Sequence, residues 1–136
     1  MSQMISMVVP FQTDDEIRGL LDHFGLKYEE SKTGLDLRGY NGAISRRRGD
    51  IVVRREMFGG SADMGFIRQA DGSWQIECES MDRQYVTQLQ NAHLYRKVET
   101  VARAKRRNVE LVSGTIPKRL ERNAARHQEL VLFVPA

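Results

Sequence analysis

The chain has 136 residues, 40% hydrophobic and 29% charged, with a formal charge of +3 and a pI near 9.2. That length suits one domain with a real core, spanning 1–136, and two independent cores would be cramped. The longest apolar run, Leu130 to Pro135, is far short of the roughly 20 residues of a membrane span, and the single cysteine, Cys78, forbids an internal disulfide or a multi-cysteine metal site.

Met1 to Phe11 lacks the basic start, long apolar stretch and cleavage site of a secretory signal, so a soluble, cytoplasmic protein without membrane contact is expected. Its charge is polarised. Residues 1–36 hold three basic and seven acidic side chains, whereas 37–76 carry a net +3 and 77–136 a net +4. Such an imbalance bears on partner choice and encounter rate rather than on fold.

Met4 to Val9 reads as a strand ended by Pro10, which cannot donate to a ladder. Thr13-Asp14-Asp15-Glu16 is a capping box, and its three acids suit the positive end of a helix dipole. Ile17, Leu20, Leu21 and Phe24 then form one apolar stripe, stopped at Gly25. Leu26 to Glu30 and Leu35 to Tyr40 read as two short strands around a Ser31 to Gly34 turn. Asn41-Gly42 marks a turn, and Ser45 to Asp50 a basic loop.

Ile51 to Met57 is β-branched and strand-like, followed by a Gly59-Gly60 turn. Met64 and Phe66 alternate with Asp63 and Gly65, and Asp71-Gly72 makes a hairpin turn. In the next strand Trp74, Ile76 and Cys78 face inward and Gln75, Glu77 and Glu79 outward. Ser80 caps a long helix from Met81 to about Arg107, with Met81, Tyr85, Leu89, Ala92, Tyr95, Val98 and Ala102 as its stripe.

Val109 to Val112 and Leu130 to Val134 are closing strands. The polar, basic linker between them, 115–128, either opens a short helix at Pro117 carrying Leu120 and Ala124 or lacks regular structure. The order of elements predicts an α+β fold: a two-layer sandwich, mainly antiparallel, whose sheet is covered on one face by two helices. A second sheet face bearing Val52, Ile67, Val131 or Phe133 would need its own cover, from a homo-oligomer, a partner or ordinary mixed packing.

Chemistry-bearing residues are sparse. His23, His93 and His127 share no ligand spacing, so no metal site is expected. Glu77 and Glu79, with Asp82 beyond, could share a proton or hold a hard cation; a solvated strand face opposite Arg54 is the simpler reading. Cys78 alternates with Trp74 and Ile76 and reads as a small buried hydrophobe. Phe58-Gly59-Gly60-Ser61 leads into a strand rather than a helix, which suits a turn better than a phosphate cradle. No nucleotide, dinucleotide or hydrolase motif is present, so no cofactor and no catalytic set is expected.

The basic residues remain. Arg46, Arg47 and Arg48 occupy the loop, Arg54 and Arg55 a strand, and Arg103, Lys105, Arg106 and Arg107 a helix end. Lys118, Arg119, Arg122 and Arg126 fall in the linker. Arg46, Arg47, Arg48, Arg54, Arg103, Arg106, Arg107, Lys118 and Arg119 are the candidate binding residues, for a phosphate backbone or an acidic protein partner.

Several strings also resemble a known family: Leu37-Arg38-Gly39-Tyr40-Asn41-Gly42, Asp50-Ile51-Val52-Val53-Arg54-Arg55, Asp63-Met64-Gly65-Phe66, Asp71-Gly72-Ser73-Trp74 and the long tyrosine-bearing helix. Together they are similar to the hypothetical chloroplast reading frame thirty-five family of small cyanobacterial, plastid and bacterial proteins. The resemblance covers roughly Met4 to Val112 and the last strand. It brings no catalytic residues. Bacterial relatives are often encoded near AAA-type ATPases, which implies an adaptor or accessory role. The leading expectation is therefore a non-catalytic interaction module, and the alternative is a nucleic-acid-binding protein using its arginine clusters. An enzyme would have to rest on Glu77, Glu79 or a histidine.

Overall fold

Pro10 ends β1 (Met4–Val9), and Thr13 opens α1 (Asp14–His23). The Thr13 hydroxyl accepts from the Glu16 N–H at 3.1 Å while Glu16 Oε1 accepts from the Thr13 N–H at 3.2 Å, so two end donors are satisfied. At the other end the N–H of Gly25, at φ 67°, reaches the Asp22 carbonyl and Leu26 N–H that of Leu21, a Schellman ending. This computed structural model describes residues 3–114, 116–122 and 130–135. It is α+β, as the order of elements predicts.

Five antiparallel strands form the main sheet in the order β1-β5-β4-β3-β2. They are β2 (Glu29–Arg38), β3 (Ile44–Val53), β4 (Met64–Arg68) and β5 (Trp74–Glu79), with β1 beside β5. Val9 lies opposite Trp74, Met7 opposite Ile76 and Ile5 opposite Cys78; Phe66 lies opposite both Ile76 and Ile51. This face shares one buried cluster with Ile17, Leu20 and Leu21 of α1 and with Tyr85, Val86, Leu89 and Ala92 of α3 (Arg83–Ala104). Two amphipathic helices and one apolar sheet face thus make the core.

The second face differs from expectation. The two short strands predicted around Ser31 to Gly34 are one strand, β2, whose pairing with β3 shifts register between Glu30 and Leu35. The predicted basic loop at 45–50 belongs to β3, with Asp36 opposite Arg48 and Arg38 opposite Ile44. It is strand because Ser45 and Arg47 turn inward and find polar partners, while Arg46 and Arg48 turn out. The far half of this hairpin lies across β4, β5 and β1. Leu37 is fully buried over Gly65, where an added Cβ would come within 2.6 Å of its side chain. Val52 and Ile67 are therefore covered by the chain itself, with no second copy required.

Three boundaries also move. The strand predicted to reach Met57 stops at Val53, and Arg55–Phe58 is a single helical turn, α2, because the Asp63 carboxylate takes the Arg55 N–H. Ser80 does not cap the long helix. A 3₁₀ turn, Ser80–Asp82, comes first, and the Asp82 carboxylate is turned to the N–H groups of Ser61 and Ala62. The last strands, β6 (Glu110–Ser113) and β7 (Val131–Phe133), do not close the main sheet but pair with each other. Residues 116–122 hold no helix, and Ala124 lies outside the described residues.

Candidate interaction surface

The nine candidate binding residues fall on different elements. Arg46, Arg47 and Arg48 stand on β3. Arg47 Nη1 donates to Ser6 Oγ at 2.8 Å and Gln75 Oε1 at 2.6 Å, and Arg48 pairs with Asp36 at 3.4 Å. Arg54 is the N-cap residue of α2 rather than a strand residue, and its guanidinium bridges Glu29 and Asp63, each at 2.8 Å. Lys118 and Arg119 belong to a segment bound at Gln88, near the start of α3, whereas Arg103, Arg106 and Arg107 sit at its end. Gln88 and Arg103 are fifteen helical steps apart, roughly 22 Å. Arg126 and His127 lie outside the described residues.

The carboxylates expected on a solvated strand face are buried. Glu77, under Ser45 of the bent hairpin, keeps only 5% of its surface, and Glu79 1%. Glu77 accepts from the hydroxyls of Ser6 and Ser45, each at 2.6 Å, and Glu79 from the Gln3 N–H and the Ser80 hydroxyl. Arg54 does not face Glu77. It is committed to Asp63, which also accepts the N–H groups of Arg38 and Arg55. Among the described residues, no three acids, histidines or cysteines gather as metal ligands.

Cys78 is buried, and desolvation pushes its thiol up to about 12, with Asp82 adding to the shift. As a neutral thiol it packs as the expected small hydrophobe. A cleft of about 530 Å³ beside Trp74 is walled by charges that largely answer one another, Arg18 with Asp14 and Glu30 foremost.

The end of α3 is built differently. Val98, Val101 and Ala102 of the helix and Val134 beyond β7 floor a groove of about 410 Å³, with Lys97, Lys105 and Arg107 along its sides. Val101 is 57% exposed, and Val112, Val131 and Phe133 of the small sheet are exposed too. Apolar surface of this kind, framed by charge, is what docking sites present. Lys97 is held by Glu16 at 2.8 Å and Arg103 lies 3.3 Å from Glu99. Lys105, Arg106 and Arg107 have no carboxylate partner among the described residues.

Helix α3 ends in the same Schellman pattern as α1, with Arg106 N–H to Arg103 and Arg107 N–H to Ala102. Here, however, the left-handed position holds an arginine, Arg106, at φ 55°. Side chains other than glycine are costly there. The period of the α3 stripe concealed this surface. Its legible signal outside the stripe was Val101, apolar and exposed.

Comparison with family models, with curated proteins and with solved structures finds no match. No helix among the described residues is long and apolar enough to cross a membrane.

Proposed function

We propose that this protein is a non-catalytic interaction module, an adaptor or accessory subunit of a larger protein assembly, docking through the end of α3 and the β6–β7 sheet. The observation that carries this reading is the exposed groove of Val98, Val101, Ala102 and Val134 beside Lys105 and Arg107, which no carboxylate among the described residues neutralises. The excess of positive charge around this apolar surface steers an acidic partner and fixes its orientation. The resemblance to the chloroplast reading frame thirty-five family supports the same reading and suggests an AAA-type ATPase as the partner. The commitment of Arg47, Arg48 and Arg54 to groups of the chain leaves fewer cations for a phosphate backbone.

The test is retention of a protein partner by the immobilised chain, comparing wild type with Val101→Asp and with the Lys105→Glu/Arg107→Glu double variant. A partner kept by wild type and lost from both variants, at unchanged melting temperatures, is expected. Equal retention by all three removes this surface from the reading. Labelled RNA or DNA held at about 50 mM salt and released by the double variant supports phosphate-backbone binding instead.

A further inference from the structure

The β6–β7 sheet is unfinished. Among the described residues its two strands pair only with each other, and an isolated pair of strands is marginal in water. Among the described residues each strand therefore leaves one outer edge unpaired, where a third strand could add. Along it stand apolar side chains in water: Val112 at 63% exposure, and Val131 and Phe133, which share one face. The same end of the molecule carries Lys105, Arg106 and Arg107, and Arg106 keeps a backbone conformation that glycine would hold more cheaply.

Of the occupants that could finish this sheet, a second copy fits poorly. Two-fold pairing sets the same patch, with its excess of positive charge, against itself. An acidic strand fits both features: its backbone extends the sheet, its alternate apolar side chains cover the exposed face and groove, and its carboxylates meet Lys105 and Arg107. We infer that the β6–β7 sheet is completed by a strand from a protein partner, an acidic segment whose alternate residues are apolar. This rests on the reading of that end as the docking surface.

The experiment uses the full chain and two dye-labelled peptides, one of alternating valine and glutamate and one an acidic amphipathic helix. Fluorescence anisotropy and backbone amide exchange are the readouts. The alternating peptide should bind more tightly at low salt, lose about tenfold or more in affinity against the Lys105→Glu/Arg107→Glu variant, and slow exchange in β6 or β7. Tighter binding of the helical peptide with unchanged exchange in both strands overturns the inference. So does a concentration-dependent dimer that protects those strands and that the peptide does not dissolve. If neither peptide binds while partner retention still responds to the two reversals, the strand inference falls and the docking surface stands. If retention is unaffected as well, the docking reading is the one that fails.

Discussion

The buried side chain of Gln88 pairs with the backbone of Glu121 at two points. Its Oε1 accepts the Glu121 N–H at 2.7 Å and its Nε2 donates to the Glu121 carbonyl. A primary amide has the donor and acceptor of a peptide group, so one side chain of α3 does for Glu121 what a neighbouring strand would do. Ile116 and Leu120 pack against the core beside this link, and Arg122 donates to the Gly59 carbonyl. The segment 116–122 is thereby tied to α3.

Removing the amide takes both of these hydrogen bonds from the Glu121 backbone. Gln88→Ala should cost about 1–3 kcal/mol, the worth of two hydrogen bonds, read as a lower urea midpoint. The same variant should be cut faster by trypsin at Lys118 or Arg119. Gln88→Glu keeps an acceptor for the N–H but sets a carboxylate against the carbonyl, and should release the segment as well.

Asp63 is 2% exposed and takes three donors: the N–H groups of Arg38 and Arg55 and the guanidinium of Arg54. It joins β2, the start of α2 and β4 in one place. Asp63→Ala takes the acceptor from the Arg38 and Arg55 N–H groups and leaves Arg54 with Glu29 and the Asp36 carbonyl alone; it should destabilise by about 3–5 kcal/mol, the usual result of breaking a buried ion pair from one side. Arg54→Met, which keeps the stem, should cost nearly as much because it leaves the carboxylate buried. A fall in thermal midpoint of only a degree or two in both variants would contradict this account.

Much of this fold was legible because local and tertiary preferences agree. Thr13 with Glu16 dictates a helix start whatever surrounds it, and the alternation Trp74, Ile76, Cys78 fits an apolar sheet face. The second face was illegible because its cover is polar. Ser45, Arg47, Glu77 and Gln75 look solvated in sequence, yet the bend of the β2–β3 hairpin lets them satisfy one another. Such pairing depends on contacts more than 25 residues apart, which no window of sequence contains. Of the candidate site, Arg106 and Arg107 were legible as a basic helix end; Val134 beside Val101 was not, since only the tertiary fold brings them together.

Arg106 sits where α1 uses Gly25. Arg106→Gly should relieve the left-handed strain, offset in part by the greater entropy of glycine in the unfolded chain, for a net gain of up to about 1 kcal/mol in a denaturation series. The same change removes a cation flanked by Lys105 and Arg107 of the groove, so partner retention should weaken while stability rises. Opposite movements of the two readouts are what a residue kept for binding at some cost in stability predicts.

His93 packs edge-on against Phe11, ring centroids 4.8 Å apart, with Nε2 3.8 Å from Glu16 Oε2. Burial holds its pKa below the ordinary imidazole value, and Lys97 and Arg96 push the same way; Glu16 and a hydrogen bond to the Pro10 carbonyl oppose them. The folded state therefore prefers the neutral ring, while the unfolded chain takes a proton near pH 6.5. The stability due to this preference is fully present above that pH and is lost as pH falls through the lower folded value. Glu16 acts in a different window. Burial raises its pKa, but hydrogen bonds from Lys97 and the Gln12 N–H, with the charges of Lys97 and His93, bring it below its usual 4.5, so its contribution is lost only at more acid pH. The urea midpoint should therefore fall between pH 7 and pH 5 in the wild type. In His93→Leu, which has nothing to protonate there, the fall should be smaller, and equal slopes in the two proteins would mean that His93 does not set this dependence.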